Sequence, residues 1–93
     1  EGAGKAVRGV VDRLVVDDER VIVLDYKTDR PAPRRADAAP ESYVLQLALY
    51  REVLRKIFPN KPVSCVLLWT EAPHLMELPD TQLDAALQRF QQG

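Results

Sequence analysis

A chain of 93 residues with a formal net charge of −1 and 46% hydrophobic residues can build one core and is well below the size at which chains split into domains. The balance of charge argues against a free-standing nucleic-acid binder, and no run approaches the roughly 18 apolar residues of a membrane span. Cys65 is the only cysteine and sits in an apolar run, which excludes an internal disulfide or a four-cysteine metal site and predicts a buried, reduced thiol.

From the N-terminus, Glu1-Gly2-Ala3-Gly4-Lys5 lacks the basic and apolar regions of a secretion signal, and Met76 is the only methionine. The expectation is a single soluble, cytoplasmic domain spanning residues 1–93 and cut from a larger protein. Val7 to Val16 and Val21 to Thr28 are rich in Val, Leu and Ile and predict two strands, with Asp17-Asp18-Glu19-Arg20 as the tight turn of a hairpin. Asp29 to Glu41 contains Pro31, Pro33 and Pro40 beside Arg30, Arg34 and Arg35, so a basic loop is expected there. Leu47, Tyr50, Leu54 and Ile57 recur at helical spacing and predict an amphipathic helix over Ser42 to Phe58, stopped by Pro59-Asn60. Arg51, Arg55 and Lys56 fall in its last turns, where cations favour the negative end of the helix dipole.

Val63 to Trp69 is almost uninterrupted apolar sequence, as expected for a strand covered on both faces. Thr70-Glu71-Ala72-Pro73 turns the chain into a shorter strand, His74 to Leu78. A last helix begins near Asp80 or Thr81, with Thr81 and Asp84 as a capping box and Leu83, Ala86, Leu87 and Phe90 as its apolar stripe. The order strand, strand, helix, strand, strand, helix predicts an α/β fold with a mixed sheet, one face of it thinly covered.

Charge is unevenly distributed. Residues 1–29 sum to −2, residues 30–61 to +4 and residues 62–93 to −3, so a polyanion would approach through the middle third.

The candidate chemistry lies in the hairpin. Setting Val16 against Val21 makes opposing residue numbers sum to 37, which places Asp12 across from Asp25. Lys27, two residues beyond Asp25, shares its face of the sheet. Like charges opposed across a ladder, with Cβ atoms about 4.5 to 5.5 Å apart, are destabilising. A hard divalent cation such as Mg²⁺ would relieve the repulsion, with Lys27 free to act on a bound water; Lys27 itself is the other available counter-charge. On the following helix Gln46 and Tyr50 stand one turn apart on one face.

Three ordered segments, Gly9-Val10-Val11-Asp12-Arg13, Asp25-Tyr26-Lys27-Thr28 and Gln46-Leu47-Ala48-Leu49-Tyr50, resemble the RecB-family nuclease domain of the PD-(D/E)XK superfamily. Asp25-Tyr26-Lys27-Thr28-Asp29-Arg30-Pro31 and Leu67-Leu68-Trp69-Thr70 are similar in detail to C-terminal nuclease domains of bacterial helicase-nucleases that process double-strand breaks for recombination. The resemblance implies a restriction-endonuclease-like core with a catalytic β-hairpin, truncated on its N-terminal side. It implies an Mg²⁺-dependent DNA exonuclease, with Mn²⁺ as a substitute, fed single strands by an upstream ATP-driven helicase and paired with a partner helicase-nuclease subunit.

The same resemblance makes Asp12, Asp25 and the backbone carbonyl of Tyr26 metal ligands and gives Lys27 the attacking water. Gln46 and Tyr50 would contact DNA or brace the catalytic strand. A further His or Glu ligand expected upstream is absent from this chain, so the fragment alone would bind metal weakly and cleave little. A stand-alone exonuclease and a catalytically silent module for DNA or subunit binding are the alternatives. Arg30, Arg34 and Arg35 fit either a phosphate-contacting patch or a solvated loop. Tyr43 and Trp69 are expected in or near the core, Arg13 faces away from Asp12, and His74 is assigned to a turn or the surface.

Overall fold

Strand β2, Val21–Lys27, pairs on both sides and organises the computed structural model, which describes residues 13–71 and 73–92. Strand β1, Arg13–Val16, lies antiparallel to it, pairing Arg13 with Leu24 and Val16 with Val21, the register expected from the sequence. The earlier part of the expected first strand, Asp12 included, lies outside the described residues. The acidic turn has a definite job. Asp17 accepts backbone hydrogen bonds from Glu19 at 2.8 Å and Arg20 at 2.9 Å, and its own N–H donates to the Arg20 carbonyl at 3.1 Å. Those two amides hold the Asp17 carboxyl below its usual pKa.

From β2 the chain passes through a short 3₁₀ turn, Ala36–Ala38, into helix α1, Glu41–Ile57. It returns as β3, Val63–Trp69, parallel to β2, with Asp25 opposite Leu67 and Lys27 opposite Trp69. A parallel return requires such a crossover. Strand β4, His74–Leu78, then pairs antiparallel with β3, and helix α2, Asp80–Gln92, ends the described chain. The result is the expected α/β architecture, a mixed sheet in the order β1-β2-β3-β4.

Both helices contribute to the core on one face of the sheet. Val21, Val23, Val63, Cys65, Leu67, Trp69, Met76 and Leu78 meet Val44, Leu47, Ala48 and Leu54 of α1 and Leu83 and Ala86 of α2. On the other face Ile22, Leu24, Val66 and Leu68 are half-buried, and Leu75 is 66% exposed. Burial along β3 therefore alternates, and the expectation of cover on both faces is corrected: the two helices lie on the same side.

Two further expectations change for one physical reason. Arg51 does not serve as an exposed cation near the helix end; its side chain is fully buried and joins α1 to α2. Its Nη1 donates to Asp80 at 3.0 Å, and Nη2 bonds Asp84 and lies 3.3 Å from Glu52. Burial pulls the guanidinium pKa down, but the bonds from Asp84 and Asp80 outweigh it and the net shift is upward. Thr81 lies inside the helix and so is not its cap, and Asp84, expected to complete a capping box, bonds Arg51. The helix begins at Asp80, within the expected start, with Gln82 and Leu83 donating to the Pro79 carbonyl. Ile57 and Phe90, placed on the apolar stripes by spacing, are 60% and 56% exposed because each lies near the end of its helix, beyond the sheet's cover.

Two measurements test this packing. Arg51→Ala should destabilise the fold by about 2–4 kcal/mol in urea unfolding, through lost stem packing and the broken inter-helix tie, and Arg51→Met should lose less; an unchanged midpoint in Arg51→Ala removes the tie from the account. Burial pushes the Cys65 thiol up to about 12. The folded pKa lies above the unfolded one, so this contribution is fully present below about pH 8.5 and is lost as pH rises toward 12. At pH 8 the thiol should react with a disulfide reagent only at the rate of unfolding, and fast reaction in native buffer would contradict its burial.

Candidate functional site

The alternation that buries Val21 and Val23 continues along β2 and turns Asp25 and Lys27 to the same side. Asp25 is 3% exposed, at the end of the apolar core. Lys27 Nζ lies 2.9 Å from Asp25 Oδ2. The Lys27 backbone is fixed by β3, since its carbonyl accepts from Thr70 N–H at 3.0 Å and from Thr70 Oγ1 at 3.2 Å. A buried carboxylate and an ammonium are thus held at the C-terminal end of a parallel strand pair, where α/β sheets commonly place ligands.

Helix α1 supplies the wall. Tyr43, in its first turn, sets its ring 4.0 Å from Lys27 Nζ, measured to the centroid, and packs at 6.1 Å from the Trp69 ring. The Tyr43 hydroxyl donates to Asp29, lying 2.8 and 3.0 Å from the two carboxylate oxygens. This bond, reinforced by desolvation and by the charges of Asp29 and Asp25, raises the phenol pKa. Two turns further along, Tyr50 is half-buried and its hydroxyl is buried with no hydrogen-bond partner among the described residues. Desolvation and then the charge of Asp25 raise its pKa too.

Lys27 pairs with Asp25, the Tyr50 hydroxyl is within reach of the Asp25 charge, and Gln46 is half-buried on the same helix. Asp12 falls outside the described residues, and among those described no group of three or more His, Cys, Asp and Glu side chains is placed to hold a metal. The Tyr26 side chain points to the opposite face and is 40% exposed. Arg30, Arg34 and Arg35 lie at the surface, with Arg35 pairing at 3.1 Å with Asp37 across solvent. His74 opens β4 opposite Trp69, the strand start expected from the sequence, and is half-buried. The sequence places Tyr43 and Trp69 in or near the core and gives no role to Asp29. The available signal was spacing: Asp29 follows Lys27 by two residues, as Lys27 follows Asp25.

Comparison with known proteins gives a family. Residues 2–93 match the PD-(D/E)XK nuclease superfamily. AddA of Listeria monocytogenes serotype 4a, described as part of an ATP-dependent helicase/nuclease, is 30% identical over 78 residues, covering 77% of this chain and 6% of the relative. Proteins of the same description from Oenococcus oeni and Anoxybacillus flavithermus are 37% identical over 58 residues and 35% over 65, covering 62% and 66% of this chain and 5% of each relative. The chain therefore spans about one-twentieth of the curated relatives it matches. No solved structure matches it significantly.

The buried Tyr50 hydroxyl gives a direct check on the site. Tyr50→Phe should leave stability unchanged or raise it by up to about 1 kcal/mol in urea unfolding, because it removes an unsatisfied polar atom. A loss larger than that would mean the hydroxyl has a partner in solution.

Proposed function

Because this chain belongs to the PD-(D/E)XK nuclease superfamily, we propose that it is the DNA-cleaving part of an ATP-dependent helicase-nuclease acting in double-strand break repair and recombination. The observation that carries the reading is the Asp25–Lys27 pair, a 3% exposed carboxylate beside an ammonium at 2.9 Å. An ordinary surface ion pair would be solvated and worth little. Here the pair interrupts the core face of a strand, an arrangement with a chemical use.

The donor chemistry suits a hard divalent cation, Mg²⁺ with Mn²⁺ as a substitute, because Asp25 presents a carboxylate at the edge of an apolar core. Asp25, Asp12 and the backbone carbonyl of Tyr26 would hold the cation, together with a ligand from chain upstream of this segment. When bound, such a cation neutralises phosphate charge and lowers the pKa of its water. Lys27 has three rotatable donors and would orient that water toward phosphorus or receive its proton. Gln46 and Tyr50, half-buried on α1, would contact DNA or support the strand, and Arg30, Arg34 and Arg35 would supply surface cations for DNA phosphates.

The near-neutral net charge is consistent with single-stranded DNA delivered by an ATP-driven motor in the same polypeptide, working alongside a partner helicase-nuclease chain. By contrast, a silent module that only binds DNA or other proteins would have no need for an intact Asp25–Lys27 pair. The test is degradation of labelled single-stranded DNA by the helicase-containing parent protein with Mg²⁺ or Mn²⁺. Asp25→Ala and Lys27→Ala should each lower cleavage by roughly a hundredfold or more while ATP hydrolysis persists. Absence of cleavage by the wild-type protein with either metal would leave the binding module as the reading.

A further inference from the structure

We propose that Tyr43 is a positioning residue for Lys27: its ring, tethered through the hydroxyl to Asp29, holds the lysine ammonium against Asp25. The inference rests on the nuclease reading of the Asp25–Lys27 pair and adds the group that directs the lysine. An ammonium on a four-carbon stem is flexible and has three rotatable donors, so without a constraint it samples many directions. Lys27 has constraints on two sides. Asp25 Oδ2 lies 2.9 Å from Nζ, and the Tyr43 ring centroid lies 4.0 Å from the same atom, well inside the range of a cation–π contact.

The ring that makes this contact is itself fixed at two points. Trp69, fully buried and the β3 partner of Lys27, packs beside it with ring centroids 6.1 Å apart. At the other end, the Tyr43 hydroxyl donates to the Asp29 carboxylate, at 2.8 and 3.0 Å from its oxygens. Packing against Trp69 could be provided by leucine. A tyrosine adds a π face, which takes Lys27, and a hydroxyl, which takes Asp29. Both additions act on the segment leaving the catalytic strand, so the first turn of α1 sets the direction of the lysine.

The experiment measures kcat and KM on single-stranded DNA with the full helicase-containing protein. Tyr43→Leu should lower kcat roughly ten- to a hundredfold, the scale on which a misplaced reacting group acts, with KM changed little. Tyr43→Phe keeps the ring without its tether and should lose only a small part of this, as should Asp29→Ala. The double variant Tyr43→Phe/Asp29→Ala should be no worse than either single one, since both break the same bond. Structures of the parent protein should show the Lys27 side chain over the ring in the wild type and displaced from Asp25 in Tyr43→Leu.

Full kcat in Tyr43→Leu, or an equal loss in Tyr43→Phe, overturns the proposal, as do additive losses in the double variant. If Tyr43→Leu fails to fold, the Tyr43→Phe and Asp29→Ala cycle still decides. A wild-type protein that cleaves nothing refutes the nuclease reading instead, and the Lys27 position in the two structures then judges the tyrosine contact separately.

Discussion

Everything at the candidate site depends on the two-residue repeat of one strand. β2 must bury Val21 and Val23 against α1, and the same alternation then carries Asp25 and Lys27 to the covered face. A slip of one residue would expose the valines and turn both charged side chains to the opposite face of the sheet. The hydrophobic requirement of the core thus enforces the placement of the polar pair. That register is held from both sides, by the hairpin turn at Asp17 and by parallel pairing with β3.

The second constraint is the joining of α1 to α2 through Arg51. A fully buried guanidinium is stable only where carboxylates reach it, and Asp80, Asp84 and Glu52 do so from the rim. This fixes α1 against α2 while an adjacent flank of α1 carries Tyr43 and Tyr50 on the β2 side. One helix therefore carries two polar tasks on different faces, structural toward α2 and site-directed toward Lys27 and Asp25. The electrostatic pattern is consistent with that division. Both tyrosines have raised pKa values in which Asp25 takes part, whereas the shift at Arg51 comes from acids on α1 and α2.

The chain belongs to a nuclease superfamily and spans about one-twentieth of the curated relatives it matches. Among the described residues a metal ligand set is not complete. Under the proposed reading, a buried carboxylate already paired with lysine is the part of a metal site that one strand can preassemble. The remaining oxygen donors would have to be brought to it by other segments of chain.

Local pattern alone determined the elements of this protein, the hairpin register and the shared face of Asp25 and Lys27, because alternation and helical spacing are properties of the backbone that side chains report directly. β3 and β4 were legible to the residue, since Pro62 and Pro79 flank an apolar run and a short alternating one. What only the tertiary structure decided were the contacts between elements. Arg51 reads as a terminal helix cation until α2 arrives with Asp80 and Asp84, and Asp84 reads as half of a capping box until Arg51 reaches it. Tyr43 reads as core until Lys27, Asp29 and Trp69 close around it. The physical reason is common to all three: a polar group's partner is chosen by proximity in space, and spacing along one element carries no information about the neighbour that will pack against it.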